Sequence, residues 1–330
     1  MRYRCELNNQ TVIIIAGPTA VGKTAAAVRL AQLLHTRIIS ADSRQCFKEL
    51  TIGVAKPSAD ELKAVHHYFI DSHSIREDVN AALFEQLALQ WTEEIFVGQG
   101  PNPERQEKLA AGSAALQTAV MVGGTGLYIK AFCEGLDEIP AIDPLVREQI
   151  QSRYAQEGME WLQQAVATQD PDFYAVGEVL NPQRLMRALE VKLSTGASIL
   201  SFRTREKKIR PFHIYKIGLE LPKAQLYERI NTRVDMMMEQ GLLEEVKGLT
   251  PYKDHNALQT VGYSEIFAAL EGRSTMSEAV EAIKKHTRHY AKRQMTWFRK
   301  DPDMHWVDAN AFLADPLQYI PATIADTLQG

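Results

Sequence analysis

Thr11-Val12-Ile13-Ile14-Ile15-Ala16-Gly17-Pro18-Thr19-Ala20-Val21-Gly22-Lys23-Thr24 is a β-branched apolar run that breaks into the pattern G-x-x-x-x-G-K-[ST]. The run reads as a buried strand, and the alanine-rich residues 25–34 that follow read as a helix, so the glycine-rich turn links strand to helix. Glycine lets the backbone fold around phosphate oxygens while the N–H groups of the turn and the helix terminus point at the anion. Gly17, Pro18, Thr19, Ala20, Val21, Gly22, Lys23 and Thr24 are therefore expected to cradle a diphosphate, with Lys23 as a point charge and the Thr24 hydroxyl as a ligand for Mg2+. A chance glycine-rich turn would not place a strand before it and a helix after it in register.

Strand-like runs recur outward from this stretch at residues 37–40, 68–71, 119–122 and 213–220, alternating with helical patterns. That alternation predicts a doubly wound α/β fold with a parallel sheet whose ligand lies at the carboxyl ends of the strands. Residues 304–307 are a candidate closing strand. Between residues 143 and 195 the strand signal vanishes, and helices are expected at 144–156, 159–167 and 182–194. The predicted organisation is a catalytic domain of residues 1–142 plus 196–330, with residues 143–195 as an inserted all-helical domain. Further helices are expected at 223–240, 242–249, 264–270 and 277–298. Residues 97–117, with three glycines and two prolines, read as a surface insertion that is helical over 107–115.

Composition narrows the partners. The 330-residue chain has a formal net charge of −4, so no global field draws it to nucleic acid, and any such affinity must be local. Residues 284–300 supply a local patch: seven lysines and arginines with no acidic residue among them. Lys285, Arg288, Lys292 and Arg299 follow helical spacing along one face, while Ile283, Tyr290 and Trp297 repeat on another and read as core. Three cysteines, odd in number and far apart, fit neither a disulfide framework nor a zinc site. His66, His67, His286 and His289 lack metal-ligand spacing. No stretch is long and apolar enough for a signal core or a membrane span, so a cytoplasmic protein is expected.

Two further turns accompany the first. Asp42, Ser43, Arg44 and Gln45 follow the second strand-like run, which delivers the Asp42 carboxylate to the edge of the sheet that carries Lys23. That carboxylate is placed to act as a base, to cap the next helix, or to hold Mg2+ through water. Gly123-Gly124-Thr125-Gly126 leaves the run at 119–122 at the same edge, where backbone can approach a substrate closely or simply turn into a helix. On the helix from residue 223, Arg229 and Arg233 share a face at i, i+4 and suit either the outer oxygens of a diphosphate or a solvated ion-paired face.

Together with the phosphate loop, the segments at 41–45, 52–57, 123–128, 183–191, 261–263 and 290–298 resemble the tRNA dimethylallyltransferase (isopentenyltransferase) family, in family order and over nearly the whole chain. The resemblance implies a P-loop NTPase-like sheet, and a monomer that transfers a dimethylallyl group from dimethylallyl diphosphate to N6 of adenosine 37 in the tRNA anticodon stem-loop. It implies Asp42 as general base, with Thr24 and Arg233 as its catalytic partners, and Lys23, Thr24 and Arg233 on the diphosphate, with Mg2+ assisting. It also implies tRNA contacts from Asp42, Ser43, Arg44, Gln45 and Thr125, from Gln183, Arg184, Leu185, Met186 and Arg187, from Gln259, Thr260, Val261, Gly262, Tyr263 and Ser264, and from Arg288, Lys292 and Arg293. Cys46-Phe47 departs from the more usual Val-Tyr, and the 97–117 stretch is longer than usual.

Two rivals use the same loop. A P-loop small-molecule kinase would hold ATP there, but it leaves the Asp42 motif, the second glycine turn and the basic helix unexplained. A GTP switch or passive tRNA-binding module needs a guanine-reading N/T-K-x-D motif, which the chain lacks.

Overall fold

The computed structural model describes residues 10–98, 118–204 and 206–325. The helix expected at 107–115 and Cys5 lie outside the described residues. The chain forms two compact units: Met1–Cys133 with Ile209–Gly330, and Glu134–Lys208. The helical insertion expected at 143–195 is thus wider at both ends. Asp137 at its start accepts hydrogen bonds from Thr204 near its end, and the Lys208 amide donates to the Glu134 carbonyl, so the flanking segments close on each other.

The first unit is built on six parallel strands in the order β3-β2-β4-β1-β5-β6. They are β1 Thr11–Ala16, β2 Ile38–Ser40, β3 His67–Tyr68, β4 Thr118–Gly123, β5 His213–Glu220 and β6 Met304–Asp308. β1 and β4 are buried along their whole length, as expected of parallel strands covered on both faces. In register, Ala16 lies opposite Gly123 on one side and Gly218 on the other, while Ser40 lies opposite Val122. The ends of β1, β4 and β2 are therefore level to within one residue, so the turns leaving them start from one row, while β5 runs two residues further to Glu220.

Close approach explains two glycines in that row. A Cβ on Gly123 would sit 2.1 Å from the Ala41 carbonyl oxygen, and one on Gly17, whose φ is +149°, would sit 2.7 Å from that of Leu219. The helices of this unit are α1 Lys23–Leu33, α2 Ala59–Ala64, α3 Ala81–Phe96 and α4 Gly126–Glu134, and after the inserted unit α8 Lys223–Glu239, α9 Leu242–Gly248, α10 Tyr263–Leu270, α11 Met276–Phe298, α12 Ala309–Ala314 and α13 Ala322–Ala325; the insert holds α5 Pro144–Gln169, α6 Pro171–Val176 and α7 Pro182–Thr195. One core packs Ile13, Ile15, Val120 and Leu219 of the sheet against Ala27, Leu30 and Ala31 of α1 and Ile230 of α8. Capping boxes, Ser58 with Glu61 and Thr275 with Glu278, fix the starts of α2 and α11.

Several expected elements shift. The strand expected at 68–71 is only His67–Tyr68, because Phe69 and Asp71 take left-handed backbone at φ of +65° and +51°. The helices expected at 144–156 and 159–167 form one element interrupted at Gly158, whose φ is +75°. Gly196 ends α7 in left-handed conformation, as its position after the helical run predicts. The inserted unit has its own core, in which Ile150, Leu162, Val166, Phe173, Leu185, Leu189 and Val191 are buried.

Candidate active site

Three turns meet at the carboxyl edge of the sheet around a cleft of about 980 Å3. Thr19, Ala20, Gly22, Lys23, Thr24 and Ala25 line it from the phosphate loop, Asp42 and Gln45 from the turn after β2, Gly123 from the end of β4, and Arg229 and Arg233 from α8. The lysine, the hydroxyl, the carboxylate and the half-buried Arg233 that the sequence singles out are thus brought to one cavity. Gly17, Pro18 and Val21 are buried and do not line it. They shape the loop instead: the Pro18 carbonyl accepts from Lys23 Nζ at 2.7 Å, and the Val21 carbonyl accepts from Arg229 Nη1 at 3.4 Å.

Burial pulls the Lys23 ammonium down from its ordinary 10.5 to about 7, with Asp42 opposing the shift and Arg233 adding to it. Burial also lowers Arg233, partly offset by Glu61 across the cleft. Arg229 has a different role: Nη2 donates to Asn310 Oδ1 at 2.9 Å, so this arginine braces the loop against α12.

The Asp42 turn is held from two sides. Oδ1 of Asp42 accepts from the Arg44 and Gln45 amides at 2.9 and 3.3 Å, closing the turn locally. Thr125 Oγ1 accepts from the Ser43 amide at 3.0 Å, and the Thr125 amide donates to the Ala41 carbonyl at 3.2 Å. The second glycine turn therefore positions the Asp42 carboxylate. Beside it, burial and the Asp42 charge push the Cys46 thiol up to about 12, which leaves it an inert core group.

Gln294 is a site residue that sequence reasoning missed. It is buried on α11, where Oε1 accepts from the Thr19 amide at 2.8 Å and Nε2 donates to the Gly124 carbonyl at 2.9 Å. The available signal was a glutamine in phase with the apolar positions of an amphipathic helix, a place where that residue type is seldom buried without partners. Tyr290 also corrects the expectation of a core aromatic: it lines the cleft, and burial with the nearby Asp42 charge raises its hydroxyl to about 12. Ile283 is core, whereas Trp297 is 39% exposed and lies against Gly126.

A second pocket of about 130 Å3 shares Thr19, Asp42, Arg233 and Tyr290 with the cleft and adds Ser43, Arg44, Thr260, Val261 and Gly262. Two of the segments expected to meet RNA, 42–45 and 259–264, thus converge beside Asp42. Gln259 and Ser264 are exposed, but Tyr263 is fully buried, so its side chain is not open to the expected RNA contact. Lys292 and Arg293 are exposed on α11, while Arg288 is held by Asn231 at 2.6 Å. In the inserted unit Gln183 and Arg184 are exposed, Arg184 pairs with Glu178, and Arg187 pairs with Glu190. Leu185 and Met186 are buried in that unit's core, so their expected RNA contact is not available.

Fold and cleft together define a parallel α/β protein in which the glycine-rich loop carrying Lys23 and the turn carrying Asp42 line one cavity. The family model described as IPP transferase matches residues 45–301. A tRNA dimethylallyltransferase of Christiangramia forsetii is 42% identical over 313 residues, covering 95% of this chain and 98% of that protein. tRNA dimethylallyltransferase 1 of Bacteroides thetaiotaomicron is 41% identical over 296 residues, covering 90% and 91%. The crystal structure of the tRNA isopentenylpyrophosphate transferase of Bacillus halodurans matches with a TM-score of 0.63 at 32% identity, over 97% of each chain. The chain belongs to the IPP transferase family.

Proposed function

We propose that this chain, acting as a monomer, transfers the dimethylallyl group of dimethylallyl diphosphate to N6 of adenosine 37 in the tRNA anticodon loop and releases pyrophosphate. The observation that carries the reading is that Asp42 lines both cavities, sharing one with Lys23, Thr24 and Arg233 and the other with Arg44, Thr260 and Val261. A leaving anion at the first and an extruded base at the second would meet at this carboxylate. Relatives that carry the name tRNA dimethylallyltransferase support it.

The chemistry follows from the reactants. The exocyclic amine of adenine is a poor nucleophile because its lone pair is delocalised into the ring. As the bond from N6 to the allylic carbon forms, the Asp42 carboxylate takes the amine proton, and the bond from that carbon to the diphosphate oxygen breaks. A placed base contributes about 10²- to 10⁴-fold. Lys23, Arg233 and the loop N–H groups stabilise charge gathering on the departing diphosphate. Extruding the base costs roughly a few kcal/mol, which contacts to the flanking loop offset.

Mg2+ fits as a companion of the diphosphate. Among the described residues no group of three or more His, Cys, Asp or Glu side chains is arranged to hold a metal alone. The Thr24 hydroxyl lines the cleft beside Lys23, and one hydroxyl with phosphate oxygens and water is a hard-oxygen donor set suited to Mg2+. When bound it would neutralise charge on the diphosphate.

Incubating the protein with dimethylallyl diphosphate and an anticodon stem-loop should add one five-carbon unit to adenosine 37. ATP supplied in its place should give no modified product. Absence of the prenylated nucleoside, with phosphoryl transfer from ATP instead, would favour the kinase reading.

A further inference from the structure

Residues 51–57 form a wall of the cleft, and Val54 and Ala55 also line the second pocket, so this loop borders the passage between the two. It lies in no helix or strand, and its placement needs an anchor. That anchor is Glu245 on α9. Oε2 accepts from the Thr51 and Ile52 amides at 3.2 and 2.7 Å, and Oε1 accepts from the Gly53 amide at 3.1 Å and the Tyr263 hydroxyl at 2.5 Å. Four donors occupy one carboxylate, which is about its full accepting capacity. From the other side the Tyr263 ring holds Gly53 so closely that a Cβ there would lie 2.5 Å from a ring carbon.

We infer that Glu245, braced by Tyr263, is a positioning residue for prenyl transfer: it fixes the loop at 51–57 at the width that lets the donor's allylic carbon and the acceptor amine meet beside Asp42. The inference rests on the proposed function but concerns a residue that touches neither substrate. Its specificity is chemical. Three backbone N–H groups converge on the side chain, and only an anion with two accepting oxygens satisfies them together with the tyrosine. Glutamine turns an NH2 group toward two of those donors and must release part of the loop. Gln45 holds the loop farther along, where Nε2 donates to the Val54 and Ala55 carbonyls at 3.2 and 2.9 Å, so release at Glu245 leaves a hinged flap rather than an unfolded segment.

The test uses the full chain with Glu245→Gln and, by an independent route to the same displacement, Gly53→Ala. Amide exchange at residues 51–53 should quicken about tenfold or more in E245Q, read without any substrate. In single-turnover prenylation both variants should lose about 10- to 100-fold in rate, the scale of a displacement near 1 Å at a reacting centre, while anticodon stem-loop affinity stays within about threefold. Faster exchange with wild-type rates, or rates that fall only in proportion to the fraction of folded protein, would overturn the assignment. If the wild-type protein transfers nothing in the same assay, the proposed function fails instead, and the exchange result still reports on the anchor.

Discussion

Gln294 and Thr19 stand 275 positions apart in the chain and are joined by a 2.8 Å hydrogen bond that runs from the phosphate loop to the C-terminal part of α11. The same side chain donates to Gly124, so one amide ties together the turns that follow β1 and β4. An amide is the natural choice, because it accepts from an N–H and donates to a carbonyl at once. Gln294→Leu keeps similar bulk but strands a donor and an acceptor. Stability in denaturant should fall by about 1–3 kcal/mol. In the folded fraction, kcat/KM for the diphosphate should fall about tenfold or more as the loop loses its tether. A variant that melts early yet turns over normally would make Gln294 a packing residue only.

Asp42→Asn should separate chemistry from geometry. The asparagine Oδ1 can still accept from the Arg44 and Gln45 amides, so the turn should persist. What disappears is the ability to take a proton, and single-turnover transfer should slow by about 10²- to 10⁴-fold while stem-loop binding is retained. Near wild-type chemistry would remove Asp42 from the role of base.

Arg233 and Arg229 share a helix face but not a function. Arg233→Ala should cost about 10²- to 10³-fold in kcat/KM, because it removes a cation aimed at the leaving group. Arg229→Ala loses its brace on Val21 and Asn310, and a smaller effect is expected that Asn310→Ala reproduces. Equal losses for the two arginines would show that both touch substrate.

Lys23 makes diphosphate binding depend on pH. In the free protein it titrates near 7, and an anion in the loop raises that value. Above about pH 7 binding therefore takes up a proton at Lys23, and pyrophosphate affinity should weaken as pH rises further. Calorimetry in buffers of different ionisation enthalpy counts the proton, and Lys23→Arg, permanently charged, supplies the baseline. Equal proton counts would refute the shift. Folding has the opposite slope: the unfolded chain binds more protons at this position between about 7 and 10.5, so the contribution of Lys23 to stability rises with pH across that window.

The loop, the strand before it and the Asp42 turn were legible because each is a local pattern of residue type and spacing. The sheet order was not, since placing β4 between β1 and β2 depends on how crossovers pack rather than on any one stretch. Leu185 and Met186 show a second limit. They lie inside a contiguous motif, yet helical phase sets Leu185 with Ala188 and Leu189 facing inward, and a motif read as a string hides that phase. Tyr263 misleads in the same way, standing at the first position of α10 with its ring buried and its hydroxyl on Glu245. Glu245 itself carries no local signal, because three of its four partners lie 192 to 194 positions earlier and the fourth, Tyr263, lies 18 positions later.

The pairing of β1 has a bearing on how the chain is made. Its two neighbours are β4 and β5, and the whole inserted unit is synthesised between them. While the ribosome translates that insert, the strand that carries the phosphate loop has one side unsatisfied, and the nascent chain displays an apolar edge ready to pair with the wrong partner. An insert that collapses quickly on its own core brings β5 to that edge sooner, so slowing its collapse by truncating Leu162 should lower the yield of soluble protein even though Leu162 is far in sequence from every residue of the cleft.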